Sequence, residues 1–559
     1  MNYEKFKNQL LKDLKKKNKS CIKTIKENEF LINSYLGRGG NQLTIELLVS
    51  EINYIILQQK NQSKLGLIEA VLKHELFSRV LACFRSSTVL IDACKNEKKD
   101  VIKWLLTMGI DSCIKDEFGM TALMCAAEKP NLMFVVRHYV ENDDINCLNT
   151  QDMNGENVLY HALYNKNTFT ELLKSNIDIN QLNNNHESLL LYCCKYDIYE
   201  PIPLIVKVNG VNSNITDNEE RTAVMYLAEK ARNEEISYFH KLNNNNFNYI
   251  NKKNESVLSL AIKNMYSLKS SHDPDRFCQY ISIITMLNNL GCNLNLPIDI
   301  DENTAIMVFM IIPDYHALNY FLKYGNKIDL SIKNRFGENA SSLFFKCVND
   351  SSLYPFIINN PTFDYEYIDS NNRNTMLILG SLIQPQLVDD VLENNINLIN
   401  EVNNKNENAL IIAIKNDDKK SVDKLLQCGI NVNQQDCYGN TALYYAVDIK
   451  NINFINSLML SHADINIKNM EGKSPLNRAH ELGEKTIIKI LNNPDSINKN
   501  DIYPTEKNAA YLKYKNEMDE YLYPCIQNNY SKFKMSNTIE KIAKTIYDSS
   551  YQKKSSNYR

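Results

Sequence analysis

A chain of 559 residues and 64.6 kDa is long enough for several globular domains or for one repeat array. Lys+Arg of 63 against Asp+Glu of 66 gives a formal net charge of −3, and Lys outnumbers Arg 52 to 11, which argues against sequence-independent nucleic-acid binding. Gly at 16 and Pro at 13 exclude collagen-like and linker-dominated chains, whereas 78 Asn is an unusual excess that suits either many caps and turns or low-complexity disorder. The first 28 residues carry nine Lys and three acids with no apolar stretch behind them, unlike a secretory signal or a transit peptide. No apolar run approaches the length of a membrane span. Within residues 1–87 the apolar runs Leu43–Ile56, Leu67–Leu72 and Phe77–Cys83 predict helices, placed to cap whatever follows.

From residue 88 the chain repeats. Asp116-Glu-Phe-Gly-Met-Thr-Ala-Leu-Met-Cys-Ala-Ala127 aligns with Asp436-Cys-Tyr-Gly-Asn-Thr-Ala-Leu-Tyr-Tyr-Ala446 and with Met470-Glu-Gly-Lys-Ser-Pro-Leu-Asn-Arg-Ala479. The register runs through twelve anchors: Thr88, Thr121, Asn157, Ser188, Thr222, Ser256, Thr304, Asn339, Thr375, Asn408, Thr441 and Ser474. Each anchor can lay a side-chain oxygen over the free amides of a helix start. Two residues on stands an apolar side chain, with Ser341 the exception. Five residues past the anchor, seven repeats place Ala, which lets neighbouring helices approach closely. A second apolar helix follows, as in Val101–Leu106 and Val422–Leu426, and Gly109, Gly291, Gly325 and Gly429 stop it. Each repeat therefore reads as turn, helix, loop, helix, and such a hairpin buries its apolar face only by stacking on its neighbours.

The pattern resembles the ankyrin repeat. Gly119-Met-Thr-Ala-Leu123, Gly439-Asn-Thr-Ala-Leu443 and Gly472-Lys-Ser-Pro-Leu476 match the first half of that motif, and Leu425-Leu-Gln-Cys-Gly-Ile-Asn-Val-Asn433 matches the second. The resemblance implies an all-α ankyrin-repeat solenoid of helix-turn-helix units, with β-turn or hairpin-like loops and a helical N-terminal cap. The expected organisation is a cap over 1–87, about twelve repeats over 88–494 with an inserted loop near 265–279, and a polar Lys/Asn/Tyr-rich tail over 495–559, partly helical or disordered. The family's His is absent from all twelve repeats, and Pro survives only as Pro475. Five turns keep Gly, at 119, 155, 337, 439 and 472. Others carry Asn254 or Asn406, which tolerate the left-handed region, or Glu220, Glu302 and Arg373, which do not, so irregular turns are expected there.

Candidate chemistry is sparse. Gly37-Arg-Gly-Gly40 lacks the Lys-Ser/Thr ending and the preceding strand of a phosphate loop. The nine His form no HExxH and no Cys/His cluster, and the 14 Cys include no CxxC, so they read as small hydrophobes of a reducing interior. No catalytic residue, cofactor or metal is expected, and the chain is not expected to be an enzyme. The resemblance implies a protein–protein interaction scaffold or adaptor that binds through a concave face and turn tips. The tip residues are Phe118, Met120, Arg335, Phe336, Tyr438, Asn440, Met470 and Lys473, since exposed aromatics and Arg dominate hot spots. The competing expectation for Phe118, Phe336 and Tyr438 is that they pack on the neighbouring turn. Partners are expected to be proteins, with no nucleic acid and no membrane span, and the chain to be a monomer. The expected location is intracellular and cytoplasmic, with the nucleus open; Lys15–Lys19 resembles a short nuclear-import patch, but in so Lys-rich a chain such a run is expected by chance. The alternative is a regulatory or host-directed effector, or an enzyme-associated subunit, whose activity lies in a terminal extension.

Overall fold

A helix starts on the residue after every anchor: at Val89, Ala122, Val158, Leu189, Ala223, Val257, Ala305, Ala340, Met376, Ala409, Ala442 and Pro475. The computed structural model describes residues 2–493, apart from 38, 60–64, 143, 144, 243, 244, 270–273, 325–327 and 349, together with 513 and 514. Among these residues there is no β-strand. Isolated bridges such as Lys333↔Asn339 and Gln435↔Thr441 close the feet of the turns and make them hairpin-like. The chain forms two compact parts, Met1–Asn246 and Phe247–Arg559.

Nine anchors accept a hydrogen bond from a backbone N–H of the helix they open: Thr121, Asn157, Ser188, Ser256, Asn339, Thr375, Asn408, Thr441 and Ser474. The seven alanines at the fifth position past the anchor are fully buried. First helices pack on first helices, for example Met376–Ile383 on Ala409–Lys415 and that helix on Ala442–Asp448. Second helices form their own layer, as Lys419–Gln427 does with Ile452–Leu460. Ser341, the odd residue at an apolar position, is buried because its hydroxyl ties two loops: it donates to Leu330 O at 3.3 Å and accepts from Asp364 N at 2.9 Å.

The turns are more regular than their sequences suggest. The residue two before the anchor has φ of +77° at Gly119 and Gly439, and +58°, +62° and +54° at Glu220, Glu302 and Arg373. These last three all take the left-handed backbone that Gly takes elsewhere, at a local cost. The closing bond is regular at Glu220, from Asp217 N to Arg221 O, but spans one residue more at Glu302 and Arg373, from Ile298 N to Asn303 O and from Asp369 N to Asn374 O, so the expected irregularity is corrected at Glu220 and holds at the other two. Ten of the turns, those of Glu220 and Glu302 included, are held by an Asp or Asn five residues before the anchor; at Arg373 that place is Ser370, and Asp369 before it accepts the Asn371 amide. Asp116, Asp152, Asn183, Asp217, Asn251, Asp299, Asn334, Asn403, Asp436 and Asn469 each accept two turn amides on Oδ1, for instance Tyr438 N and Asn440 N at 2.9 Å onto Asp436.

A second set of Asn side chains joins repeat to repeat. In the first compact part Asp178 N donates to Asn149 Oδ1, Asn212 N to Asn180 and Asn246 N to Asn214, each at 2.8 Å. In the second, Asn293 N donates to Asn248, Asp329 N to Asn295, Asn431 N to Asn400 and Asp464 N to Asn433, at 2.7–2.9 Å. Much of the Asn excess is thus hydrogen-bonding hardware.

The N-terminal helices run Tyr3–Lys16, Ser20–Glu27, Glu29–Tyr35, Gln42–Leu57, Gly66–Leu72 and Ser78–Arg85. The glycine-rich stretch beneath them is tied down by Arg79, whose guanidinium donates to the carbonyls of Gly37 and Gly40. The extra length of the repeat anchored at Ser256 goes into two long helices, Val257–Lys269 and Pro274–Asn289, which pack on each other. Apart from 513 and 514, the tail from 494 lies outside the described residues. No described helix is long and apolar enough to cross a membrane.

Candidate functional site: the turn tips and the first-helix face

The tips are locked by the turns behind them. Met153 N donates to Phe118 O at 3.1 Å, Asn184 N to Asn154 O at 2.9 Å, Cys437 N to Lys405 O at 2.7 Å and Met470 N to Tyr438 O at 3.0 Å. A Cβ on Gly119 would lie 2.7 Å from Met153 N, and one on Gly439 3.0 Å from Met470 N, so glycine lets these backbones meet.

On this frame Phe118, Tyr438 and Met470 stand 57%, 62% and 80% exposed. Arg335 is exposed, and Met120, Phe336, Asn440 and Lys473 are half-buried. Several are engaged locally. Arg335 Nη1 donates to Ile300 O at 3.4 Å, Asn440 Nδ2 to Tyr445 Oη at 3.2 Å, and Lys473 pairs with Glu481 at 3.2 Å. The backbone bonds bring Tyr438 beside Met470 on adjacent tips, and Phe118 beside Met153, an exposed methionine that the sequence reading passed over. Its signal was legible, since Met153 and Met470 both stand four residues before an anchor.

Behind the tips, at the C-terminal ends of the first helices, one charged set recurs, its lysine half-buried at Lys195 and buried at Lys346 and Lys415. Lys195 Nζ sits 2.8 Å from Glu187 and 2.9 Å from Asp217, and Tyr226 donates to Asp217 at 2.6 Å. Lys415 meets Glu407 at 2.5 Å and lies 4.1 Å from the centroid of the Tyr445 ring, and Tyr445 donates to Asp436. Glu, Lys, Asp and Tyr occupy the same repeat positions in both sets. Lys346 and Glu338 repeat the first two at 2.6 Å. Burial alone would pull Lys195 down, but its bonds to Glu187 and Asp217 outweigh it and hold the amine above the usual lysine range. Asp217 is likewise held low, burial being outweighed by the hydrogen bonds from Tyr226 and Lys195.

One group of potential metal ligands occurs among the described residues: Asp152, Glu156 and His161 offer ligand atoms within 4.8 Å of one another. Two of the three already lie against other groups, although His161 Nε2 makes no hydrogen bond. His161 Nδ1 lies 3.1 Å from Glu128 and Nε2 3.3 Å from Asp152, whose other oxygen holds two turn amides. Burial, with the nearby Asp152 charge, pushes the Glu156 carboxyl up.

Residues 381–469 and 410–502 match the family model described as "Ankyrin repeats (3 copies)". The chain carries ankyrin repeats. An ankyrin repeat protein of Fowlpox virus (strain NVSL) is 34% identical over 106 residues, which is 18% of this chain and 16% of that relative. The match spans about one sixth of that relative's length. Ankyrin repeats are in general protein-interaction modules, and the fold and the family agree on that class.

Proposed function

We propose that the ankyrin array is a non-enzymatic scaffold or adaptor that binds partner proteins along its turn tips and the adjoining first-helix face. The observation that carries this reading is the set of exposed Phe118, Tyr438 and Met470 side chains on tips whose backbones are hydrogen-bonded to their neighbours. A large apolar side chain on a preformed backbone binds at a reduced ordering cost, since only the side chain remains to be fixed. Phe118, Met120, Arg335, Phe336, Tyr438, Asn440, Met470 and Lys473 are the contact residues, joined by Met153. The cap of residues 1–87 closes the stack, and the array acts inside the cell as a monomer.

The test is affinity capture with the full chain and with Phe118→Asp and Tyr438→Asp. Both side chains are exposed, so circular dichroism and melting should match the wild type. Capture of specific partners should fall at least tenfold in one variant or both. Unchanged capture by both variants would sink the tip assignment.

A further inference from the structure

One residue from beyond the array reaches the first-helix face. Tyr514, 66 residues along the chain from Asp448, donates its phenol to Asp448 Oδ2 at 2.8 Å. Its ring meets Tyr445 edge-on, with centroids 5.0 Å apart and planes at 89°. Lys415 Nζ lies 5.7 Å from the same ring. The seat has holding contacts that do not involve Tyr514: Glu407 holds Lys415 and Asp436 takes the Tyr445 phenol. The Arg478 guanidinium, 2.6 Å away, fixes the carboxylate of Asp448.

The internal repeat shows what the seat wants. At the equivalent Lys195, a first aromatic ring comes from Tyr226 of the next repeat at 5.6 Å, and a second comes from Tyr196, the residue after the lysine, at 5.7 Å. The residue after Lys415 is Asn416, so this site supplies only one ring of its own. Tyr514 brings the second.

We propose that Lys415, Tyr445, Asp448 and Arg478 form a recognition subsite for an unmodified tyrosine in a peptide segment, and that Tyr514 is its resident self-ligand. The site selects against phenylalanine, which has no proton to give Asp448, and against phosphotyrosine, whose charge would meet that carboxylate. Tyr514 thereby occupies the subsite, and a partner segment presenting tyrosine displaces it. The inference rests on the proposed partner-binding role only for what displaces Tyr514, since the contact itself belongs to the chain alone.

The experiment uses the full chain and Tyr514→Ala, a substitution outside the array. Amide exchange over residues 442–448 should speed up severalfold in the variant. A synthetic peptide of residues 508–520 should bind the variant at least tenfold more tightly than the wild type, whose seat is filled. Its Tyr514→Phe form should bind about tenfold more weakly, as expected for losing one hydrogen bond to a charged group. Its phosphotyrosine form should not compete. Asp448→Asn placed on the Tyr514→Ala chain should shrink the preference for tyrosine over phenylalanine. Unchanged exchange overturns the proposal. So does equal peptide binding by the two chains, or no binding by the variant up to millimolar peptide. Failure of the scaffold reading has a different signature, namely normal exchange shifts with partner capture indifferent to the tips.

Discussion

Asp436 does three jobs with one carboxylate: Oδ1 holds the amides of Tyr438 and Asn440, and Oδ2 takes the phenol of Tyr445. Asp436→Ala removes both acceptor oxygens, and with them three hydrogen bonds, and should cost about 1–3 kcal/mol locally, the penalty for stranding part-buried donors. Asp436→Asn keeps an oxygen for the amides and should cost less. Amide exchange at Tyr438 and Asn440 reads the difference, and equal rates in the two variants would refute the assignment. Arg373 makes the opposite case, as an exposed side chain held at φ +54°. Arg373→Gly should stabilise its turn by up to about 1 kcal/mol, the left-handed cost exceeding the entropy that glycine adds. Slower exchange over 369–376 is the expected reading, and faster exchange would count against it.

Among the elements, helix starts were legible because the anchors, the apolar residue two further on and the alanine at five follow from helix geometry alone. The turns were legible only in part. Residue preference argued against Glu220, Glu302 and Arg373, yet all three take the left-handed backbone, Glu220 and Glu302 in turns whose Asp217 and Asp299 accept two amides each. The Asp or Asn before each turn stood in plain sight in the alignment, but its role needs the amide directions, which no sequence spacing supplies. Among the tip residues Phe118, Tyr438 and Met470 are exposed as expected, and Met153 was passed over although it holds the same place before its anchor as Met470. The buried pair Glu407–Lys415, 3% and 4% exposed, invites a direct test. Glu407→Ala should cost about 3–5 kcal/mol by leaving a buried cation unpaired, whereas Glu407→Leu with Lys415→Met should be near neutral. Denaturant unfolding of the single and double variants decides, and equal losses would refute the pairing argument. The Lys195–Asp217 pair adds a pH signature. Asp217 ionises more readily folded than unfolded, so its contribution is full above the ordinary carboxylate range and is lost as pH falls through its lowered value. Melting of the chain should therefore gain an acid limb below about pH 4 that Asp217→Asn reduces. Lys195 is raised, so its contribution is full below the ordinary lysine value and is lost as pH climbs through the raised one.

For the molecule as a whole, thiols report on integrity. Cys94, Cys125, Cys193 and Cys194 are buried within first helices, and burial pushes Cys125 up to about 12. Cys278 is exposed. A thiol reagent at neutral pH should label Cys278 early and the four buried thiols only as their repeats open. Mass spectrometry of partly labelled chain shows the order, and early labelling of Cys193 or Cys194 would contradict the packing.

The rungs of asparagine between repeats have an evolutionary corollary. Every rung joins the same oxygen to the same amide, whatever the neighbouring side chains, so one repeat can follow another without a tailored join. The enlarged repeat obeys this rule: its added residues lengthen the helices, and the rung from Asn293 to Asn248 persists at 2.7 Å. Duplication or loss of a whole repeat would thus be nearly seamless for the backbone, whereas a partial one would break a rung. Excising residues 409–441 should leave a chain that unfolds cooperatively, and excising half that stretch should not.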